Sequence, residues 1–457
     1  MTERLAFVAA LLCAAAALAE ECPAPGADLV TGDIAAAGSW GIEGGVAAFS
    51  IGVQNCNVGS TPIAWQFNTN QHPVFGQNLF RLRTVDGATR FEQIGQGWVF
   101  HEYFALSSQF CCQNCQPTNG STLGVGCSSA TSASIAGNRP RLGPKWQISA
   151  ATGGFTQPPD DPEYSGVAAR RLQAHVSDID PAQDGAGALF FFEAQCVTPD
   201  DAPGANDNNA SWRQCSILYN GATANVALSG ATRREQSAIH AWREHDPAVL
   251  ERDLQIAGDG LVILAARATR LASGLWRYEY ALQNLTSDRA IQAFAIPLPP
   301  DAGVENVGFH DVDYHSGDGP GGVDFSGQDW DAAVGAGQLA WSSETYAENE
   351  SANALRWGTL YNFRFDSDAA PGAALATLAL FKPSDPPTVS ALAIGPSDCP
   401  TDLDADGDTD LTDLSRLLAS FGKPADANAT EGDVDHDGDV DLTDLSSLLA
   451  VFGGSCS

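Results

Sequence analysis

Positive charge is scarce in this sequence. Its 457 residues include 23 lysines and arginines against 56 aspartates and glutamates, so the formal net charge is −33. An acidic surface of this strength repels phosphate groups, so we expect neither a nucleic-acid partner nor binding to an anionic membrane. Long apolar runs are also missing beyond residue 19, and the sequence therefore predicts no transmembrane anchor.

Common catalytic motifs are missing as well. The sequence has no Gly-x-Ser-x-Gly elbow, no His-Glu-x-x-His, no phosphate-binding loop and no dinucleotide fingerprint. A pair of catalytic carboxylates cannot be chosen by spacing from so many acidic residues. The sequence therefore identifies no reaction and no catalytic residue, and it favours a binding or structural role.

The first nineteen residues differ from the rest of the chain. Arg4 precedes an apolar run from Leu5 to Leu18, and the small residues Ala17 and Ala19 are typical of a cleavage site. The run is shorter than a membrane-spanning helix. We therefore predict a signal peptide at 1–19 and a secreted product that acts outside the cell or at its surface.

Ten cysteines remain once Cys13 of the leader is removed, and an even number fits disulfides in an exported protein. The connectivity does not follow from the sequence, although Cys399 and Cys456 bracket the C-terminal segment and could join its ends. Four cysteines form a cluster: Cys111, Cys112, Cys115 and Cys127. This cluster could hold zinc, but an oxidising compartment favours disulfides.

Residues 399–457 contain one twelve-residue pattern twice. Aspartates at loop positions 1, 3, 5, 7, 9 and 12, with glycine at position 6, supply oxygen ligands around a sharp turn, as a calcium loop does. The predicted ligands of two calcium ions are Asp402, Asp404, Asp406, Asp408, Asp410, Asp413, Asp433, Asp435, Asp437, Asp439, Asp441 and Asp444. Two carboxylates ~5 Å apart repel by roughly 3 kcal/mol, so we expect the loops to open without the ion.

Each loop continues into an apolar stripe at helical spacing. The stripes are Leu411, Leu414, Leu417, Leu418 and Phe421, and Leu442, Leu445, Leu448, Leu449 and Phe452. One amphipathic helix cannot bury such a stripe alone, so we expect the two helices to bury each other. The sequence thus predicts a small α-helical, calcium-binding module at the C-terminus.

A calcium loop followed by one helix, and repeated once, resembles the type I dockerin module of bacteria. Both loops end in aspartate and lack an incoming helix, as is normal in that family. The resemblance covers 399–457 and implies that a partner, a cohesin-like or other cell-envelope protein domain, grips the helix faces. In many dockerins, loop positions 10 and 11 carry partner specificity; here they are Leu411-Thr412 and Leu442-Thr443, where the family frequently has Ser-Thr.

The rest of the chain is predicted to be mainly β. Short apolar and aromatic runs are separated by Gly, Asn, Asp and Pro, and beyond residue 250 they alternate with a period of two. We predict a β-rich, disulfide-containing domain at 20–250 and a second β-sandwich at 251–382. A proline-rich linker at 383–398 is expected to separate these β-sandwich-like domains from the calcium-loop module.

Histidines and acidic stretches in the β domains leave alternatives open. His72 and His101 could ligate copper or zinc, or be ordinary hydrogen-bonded histidines. The stretch 309–331, with His310 and His315, could form a metal or catalytic site or a solvated acidic loop. The segment 199–209 is rich in oxygen ligands, but its spacing matches no defined calcium loop, so we expect a solvated connector.

The tryptophans bear on the choice of function. Trp330, Trp341 and Trp357 could stack on the sugar rings of a polysaccharide or lie in the core. The sequence predicts a secreted calcium-binding protein whose tail docks it to an extracellular assembly. The alternative is a polysaccharide-degrading hydrolase, such as a glycoside hydrolase, with the same tail; a cleft with two carboxylates and exposed tryptophans would favour it.

Overall fold

The computed structural model describes residues 22–101 and 104–456, so the predicted signal peptide at 1–19 lies outside the described residues. Strands dominate, which confirms the predicted mainly β class. No helix in the described residues is long and apolar enough to cross a membrane. The α-helices are α1 (Ala133–Ala136), α2 (Val176–Ile179), α3 (His240–His245), α4 (Leu411–Ser420) and α5 (Leu442–Ala450).

The first half of the chain is built around one large sheet. Its strands are β1 (Leu29–Glu43), β2 (Val46–Asn57), β3 (Ile63–Ala64), β4 (Val74–Val85), β5 (Ala88–Gln96), β6 (Val99–His101), β7 (Thr122–Leu123), β8 (Ser128–Thr131), β9 (Leu142–Gly143), β10 (Leu172–His175), β11 (Leu189–Val197), β12 (Ala210–Tyr219) and β13 (Ala224–Leu228). The large sheet has the order β1-β2-β10-β5-β4-β11-β12-β13, with β6, β8 and β9 at its side, while β3 and β7 form a separate pair.

This sheet folds back on itself, because β1 contacts β11, β12 and β13. Phe49, Phe75 and other apolar side chains fill the space between its two halves. Along β11, Phe190 and Phe192 belong to this core, whereas Phe191 packs on the opposite face. Burial on both faces explains why β11 begins with the unbroken apolar run 189–192 instead of alternating from its first residue.

The second half is a sandwich of two five-stranded sheets. Its strands are β14 (Leu250–Gln255), β15 (Leu261–Arg270), β16 (Trp276–Asn284), β17 (Ile291–Pro297), β18 (Val304–His310), β19 (Asp331–Gly335), β20 (Gln338–Ser342), β21 (Thr359–Ser367), β22 (Pro371–Leu380) and β23 (Thr388–Pro396). The sheet orders are β14-β15-β16-β21-β18 and β19-β20-β17-β22-β23. The two sandwiches share a packed interface, in which Phe91, Phe191 and Trp212 meet Ile263 and Ala281.

The three tryptophans considered for sugar binding are buried. Trp341 is fully buried and Trp330 is 3 % exposed, both in the core of the second sandwich. Trp357 is 5 % exposed and packs beside Val74, where the two sandwiches meet. Large aromatic side chains contribute strongly to a core when they are fully packed. None of the three offers a ring face to a polysaccharide.

The prediction of a linker at 383–398 is wrong for most of that segment. Strand β23 pairs with β22 along its whole length, from Pro371↔Pro396 to Ala379↔Thr388. Ala391 and Ala393 of β23 are buried in the second sandwich. Pro383, Pro386 and Pro387 lie ahead of the strand and Pro396 is its last residue, so none of them interrupts the interior of its ladder of hydrogen bonds.

The C-terminal module is held against the second sandwich. The rings of Trp276 in β16 and His436 in the second loop meet edge to face, with centroids 5.3 Å apart. The turn Ala429–Glu431 between the repeats contacts β22 and β23. The module therefore has a defined position on the body of the protein, in contrast to the expected arrangement of a tail behind a spacer.

The cysteine cluster forms disulfides, so the zinc alternative is wrong. The pairs are Cys22–Cys112, Cys56–Cys111, Cys115–Cys127 and Cys399–Cys456. The last pair joins the two ends of the C-terminal module, as the sequence suggested. Cys196 and Cys215 are buried thiols on neighbouring strands. They do not meet, because the register places Cys215 opposite Phe190 and Cys196 opposite Phe75.

Candidate metal centre

The aspartates of each C-terminal loop converge. In the first loop, oxygens of Asp402, Asp404 and Asp413 lie within 4.8 Å of one another. Asp408 and Asp410 form a second such group with Asp413. The groups of the second loop are Asp433, Asp435 and Asp444, and Asp439, Asp441 and Asp444. The aspartate at loop position 12 belongs to both groups of its loop and is the central carboxylate of each.

Backbone amides hold this central carboxylate in place. Asp413 accepts hydrogen bonds from the amide of Leu403 at 2.6 Å and from that of Asp410 at 2.7 Å. Asp444 accepts the equivalent bonds in the second loop. The bond to Asp410 is half of a capping box at the start of α4, and α5 begins in the same way. In each repeat, the same hydrogen bond therefore caps the helix and fixes the position of the central carboxylate.

The sharp turn expected at loop position 6 is present in both loops. Gly407 and Gly438 have φ of +99° and +94°, in the left-handed region that glycine enters without steric cost. Ala405 and His436, at loop position 4, also have positive φ. The chain thus winds tightly around the carboxylates that it presents.

Several carboxylate oxygens of the loops are shielded from solvent and have no hydrogen-bond partner within the described residues. They are Oδ1 of Asp404, Asp408, Asp433 and Asp439. An unsatisfied buried acceptor is costly. Converging carboxylates are the ligands that a hard cation prefers, and the one basic side chain paired with them among the described residues is Arg416, whose Nε lies 3.9 Å from Asp404. The residues present therefore fit a multiply coordinated metal ion.

The pKa values of the loop aspartates reflect the same crowding. Burial, together with the neighbouring carboxylates Asp444, Asp437 and Asp435, raises the pKa of Asp433 to about 7. Burial and neighbouring aspartates also raise the pKa of Asp404 above its ordinary value. Negative charge is thus disfavoured in loops that hold no ion, and a bound cation would remove that penalty.

The aspartates at position 5 lie outside the converging groups. Asp406 accepts a hydrogen bond from the amide of Asp408 at 3.3 Å, and Asp437 accepts one from the amide of Asp439 at 3.1 Å. These bonds stabilise the turn of each loop. A ligand role for Asp406 and Asp437 remains a prediction.

The apolar stripes of the two helices are only partly buried. Leu417 and Leu448 are fully buried, together with Leu403, Val434 and Val440. Three further positions are exposed alike in both repeats: Leu411 and Leu442 at 70 %, Leu418 and Leu449 at 51 %, and Phe421 and Phe452 at 43 % and 42 %. The prediction that the helices bury these stripes in each other is wrong at these positions. Each helix carries five apolar residues, which is more than the small core of this module can bury. That excess was the feature of the sequence that could have indicated an exposed apolar surface.

His72 and His101 come together inside the first sandwich. His72 Nε2 lies 3.2 Å from His101 Nδ1, and both rings pack edge to face on Phe155. Within the described residues, which omit 102 and 103, they belong to no group of three or more potential metal ligands. Burial lowers the pKa of His72 to about 4 and that of His101 to about 3. The structure supports a neutral, hydrogen-bonded pair.

We expect His72 and His101 to stay mainly neutral down to about pH 5. Their contact needs one ring nitrogen as acceptor, so protonating both rings would break it. Because their pKa values lie below the ordinary 6.5, the unfolded chain binds more protons below that pH, and this pair lowers stability as the pH falls from 6.5 towards 4. Ring ¹⁵N NMR signals recorded from pH 7.5 to 4 will test this; a midpoint near 6.5 for both rings would contradict it.

The histidines of the stretch 309–331 connect the two sandwiches. His310 Nε2 lies 3.2 Å from the carbonyl oxygen of Gln93, and His315 Nε2 lies 2.9 Å from that of Gln96. The indole of Trp98 donates a hydrogen bond to Asp318. These contacts serve the interface, and the described residues of this stretch form no group of potential metal ligands.

A groove of about 400 Å³ lies beside this stretch. It is lined in part by Glu43, Glu163, Tyr164 and Trp98. Trp98 is only 2 % exposed, so it cannot present a ring face to a sugar. Glu43 already accepts a hydrogen bond from the amide of Val167 at 2.7 Å. Among the described residues that line it, the groove has no exposed tryptophan, which is one of the features that would favour the hydrolase alternative.

Comparison with known proteins does not assign a family. No family model and no curated protein matches the sequence. A chain from the "Complete structure of manganese lipoxygenase of Gaeumannomyces graminis and partial structure of zonadhesin of Komagataella pastoris" aligns at 9 % identity over 80 % of this chain and 94 % of its own, with a TM-score of 0.18. The N-terminal domain of the Streptococcus gordonii adhesin Sgo0707 aligns at 9 % identity over 81 % and 95 %, with a TM-score of 0.17. At these TM-scores neither alignment indicates a shared fold.

Proposed function

We propose that this is a secreted protein whose C-terminal module binds two calcium ions and docks the protein to a cell-surface or extracellular assembly. The β-sandwiches then have a binding or structural role. The partner is a protein domain with an apolar recognition surface, cohesin-like or another domain of the cell envelope. The calcium ions keep the two loops closed and the helices in place, so docking depends on calcium.

The observation that carries this proposal is the equal exposure of the same apolar side chains in both repeats. Leu411 and Leu442 are each 70 % exposed at the start of their helices, and Thr412 and Thr443 beside them are exposed too. Leucine side chains this exposed bury little apolar surface within the fold, and large exposed apolar side chains at matching positions favour an interaction surface. The positions coincide with those that carry specificity in the family that the module resembles.

Changing Leu411 and Leu442 together to serine is expected to weaken partner binding by at least about 30-fold, because truncating a single hot-spot side chain at the centre of an interface costs about 2 kcal/mol or more. Calcium affinity and helix content should not change, since neither leucine is a ligand or buried. Affinity for purified cohesin-like and other envelope domains can be measured by biolayer interferometry with the full-length protein.

The matched control is the same change at Leu218 and Leu375. These leucines are 69 % and 49 % exposed and lie on strands of the two sandwiches. The control should bind partners as the parent does. If both double variants bind equally well, the start of each helix is not the recognition surface; if calcium chelation leaves partner binding intact, the proposed dependence on the ion fails.

A further inference from the structure

The segment between β11 and β12, residues 199–209, is not the solvated connector that its composition predicts. Asp201 is only 2 % exposed and Asn209 only 1 %. Asp28, which immediately precedes β1, is 6 % exposed. The segment therefore brings buried carboxylate and amide groups together beneath the surface, next to the beginning of the first strand.

Hydrogen bonds define this cluster. Oδ2 of Asp201 accepts bonds from the amide of Leu29 and from Nδ2 of Asn209, each at 3.1 Å. Nδ2 of Asn208 donates to Oδ1 of Asp28 at 3.2 Å. The cluster thus consists of two hydrogen-bonded pairs, Asp201 with Asn209 and Asp28 with Asn208, which the bond from the amide of Leu29 to Asp201 holds next to each other. The cluster joins distant parts of the chain, since Leu29 and Asp201 are 172 residues apart in the sequence.

Three oxygens of this cluster are left without a hydrogen-bond partner within the described residues. They are Oδ1 of Asp201, Asn208 and Asn209, and all three are shielded from solvent. Each is an acceptor, so the cluster has a surplus of buried lone pairs and no donor to satisfy them. Unsatisfied buried acceptors are uncommon in native proteins and call for an ion or water.

The charge of Asp201 points the same way. The carboxylates of Asp28 and Asp200 lie close enough to Asp201 to repel its charge, and the two donors bonded to Asp201, from Leu29 and Asn209, are both uncharged. No lysine or arginine contributes to that balance. A divalent cation would supply the missing positive charge.

Carboxylate and amide oxygens without nitrogen or sulfur ligands suit calcium, which accepts six to eight oxygens in a flexible arrangement. We propose that Asp28, Asp201, Asn208 and Asn209 form a third calcium site, built into the first sandwich and separate from the two C-terminal loops. The ion ties the start of β1 to the β11–β12 segment. Sequence spacing could not show this site, because its ligands come from distant parts of the chain.

The test is the calcium stoichiometry of the full-length protein, measured by isothermal titration calorimetry after removal of bound metal. The starting variant carries Asp413→Asn and Asp444→Asn, which remove the central carboxylates of the C-terminal loops. It should retain one calcium ion. Adding Asp201→Asn should lower the affinity for that ion by at least about 100-fold, since a charged ligand is lost.

The matched control adds Asp207→Asn, at an exposed position of the same segment, and should retain the ion. If Asp201→Asn does not fold, Asn208→Ala provides a milder change at a half-buried position and should weaken binding at least about tenfold. A starting variant that binds no calcium, or one whose remaining ion is unaffected by both substitutions, would overturn the third site. Neither result would contradict the proposed calcium binding by the C-terminal loops, because that proposal is tested separately with its own variants.

Discussion

Replacing both Asp413 and Asp444 by asparagine is expected to abolish calcium binding by the C-terminal module and to melt α4 and α5 at neutral pH. Each carboxylate belongs to both groups of converging oxygens in its loop. Asp413 also accepts the amide of Leu403 at one carboxylate oxygen and that of Asp410 at the other, so asparagine, which has a single side-chain oxygen, loses one of the two bonds. Loss of a residue that only hydrogen-bonds a metal ligand typically lowers metal affinity by about 10–100-fold. Because these aspartates are predicted to contact the ion directly, we expect the calcium affinity of each loop to fall by about 100-fold or more.

Far-ultraviolet circular dichroism of the full-length protein, with calcium and after chelation, measures this effect. These two helices are the longest in the described residues, so they dominate the helical signal. The parent should lose helix on chelation, and the variant should already lack it. Asp398→Asn with Asp426→Asn is the matched control, because it removes two exposed charges of the same region outside the loops. A variant that keeps calcium-dependent helix would refute the role of the central carboxylates.

Replacing Arg90 by methionine is expected to destabilise the two-sandwich body by about 3–5 kcal/mol, the usual cost of breaking a buried ion pair. Arg90 in β5 and Glu279 in β16 join the sandwiches, with Nη2 2.6 Å from Oε1 and Nε 3.0 Å from Oε2. They are 6 % and 1 % exposed. Without Arg90, Asn362 at 3.2 Å is the one remaining side chain shown to donate to Glu279 among the described residues.

A double-mutant cycle separates the pair from the packing around it. Arg90→Met and Glu279→Gln together should cost much less than Arg90→Met alone, because no unpaired charge remains buried. Denaturant unfolding of the full-length protein in calcium, followed by tryptophan fluorescence, gives the free energies of unfolding. Equal losses in the single and double variants would show that packing, and not charge pairing, joins the sandwiches there.

The pH dependence of the Arg90→Met variant provides an independent check. Burial already raises the pKa of Glu279, and loss of Arg90 should raise it further. The folded variant then binds a proton at pH values where the unfolded chain does not, so its stability increases as the pH falls towards the ordinary glutamate pKa of about 4.3. The difference from the parent should therefore be larger at pH 8 than at pH 5.

The C-terminal loops could be found from the sequence because their converging aspartates are close together in the chain. Every aspartate of a loop lies within twelve residues, and the glycine turn and capping box are encoded in the same stretch. The mainly β class also followed from local alternation. The sequence did not separate the buried part of the helical stripe from the exposed part, because Leu417 and Leu418 are equally apolar and differ only in what packs against them.

The remaining features depend on contacts between distant residues. The disulfides Cys22–Cys112 and Cys56–Cys111, the burial of Trp330 and Trp341, and the return of the first sheet onto itself all depend on segments whose proximity no local pattern encodes. The cluster around Asp201 is the clearest case, since its composition predicts a solvated loop and its burial next to Leu29 makes it a candidate ion site. The spacing of aspartates along the sequence determines the two C-terminal loops. For other acidic residues, such as Asp201, tertiary packing sets the burial, and burial decides which of them can hold a cation.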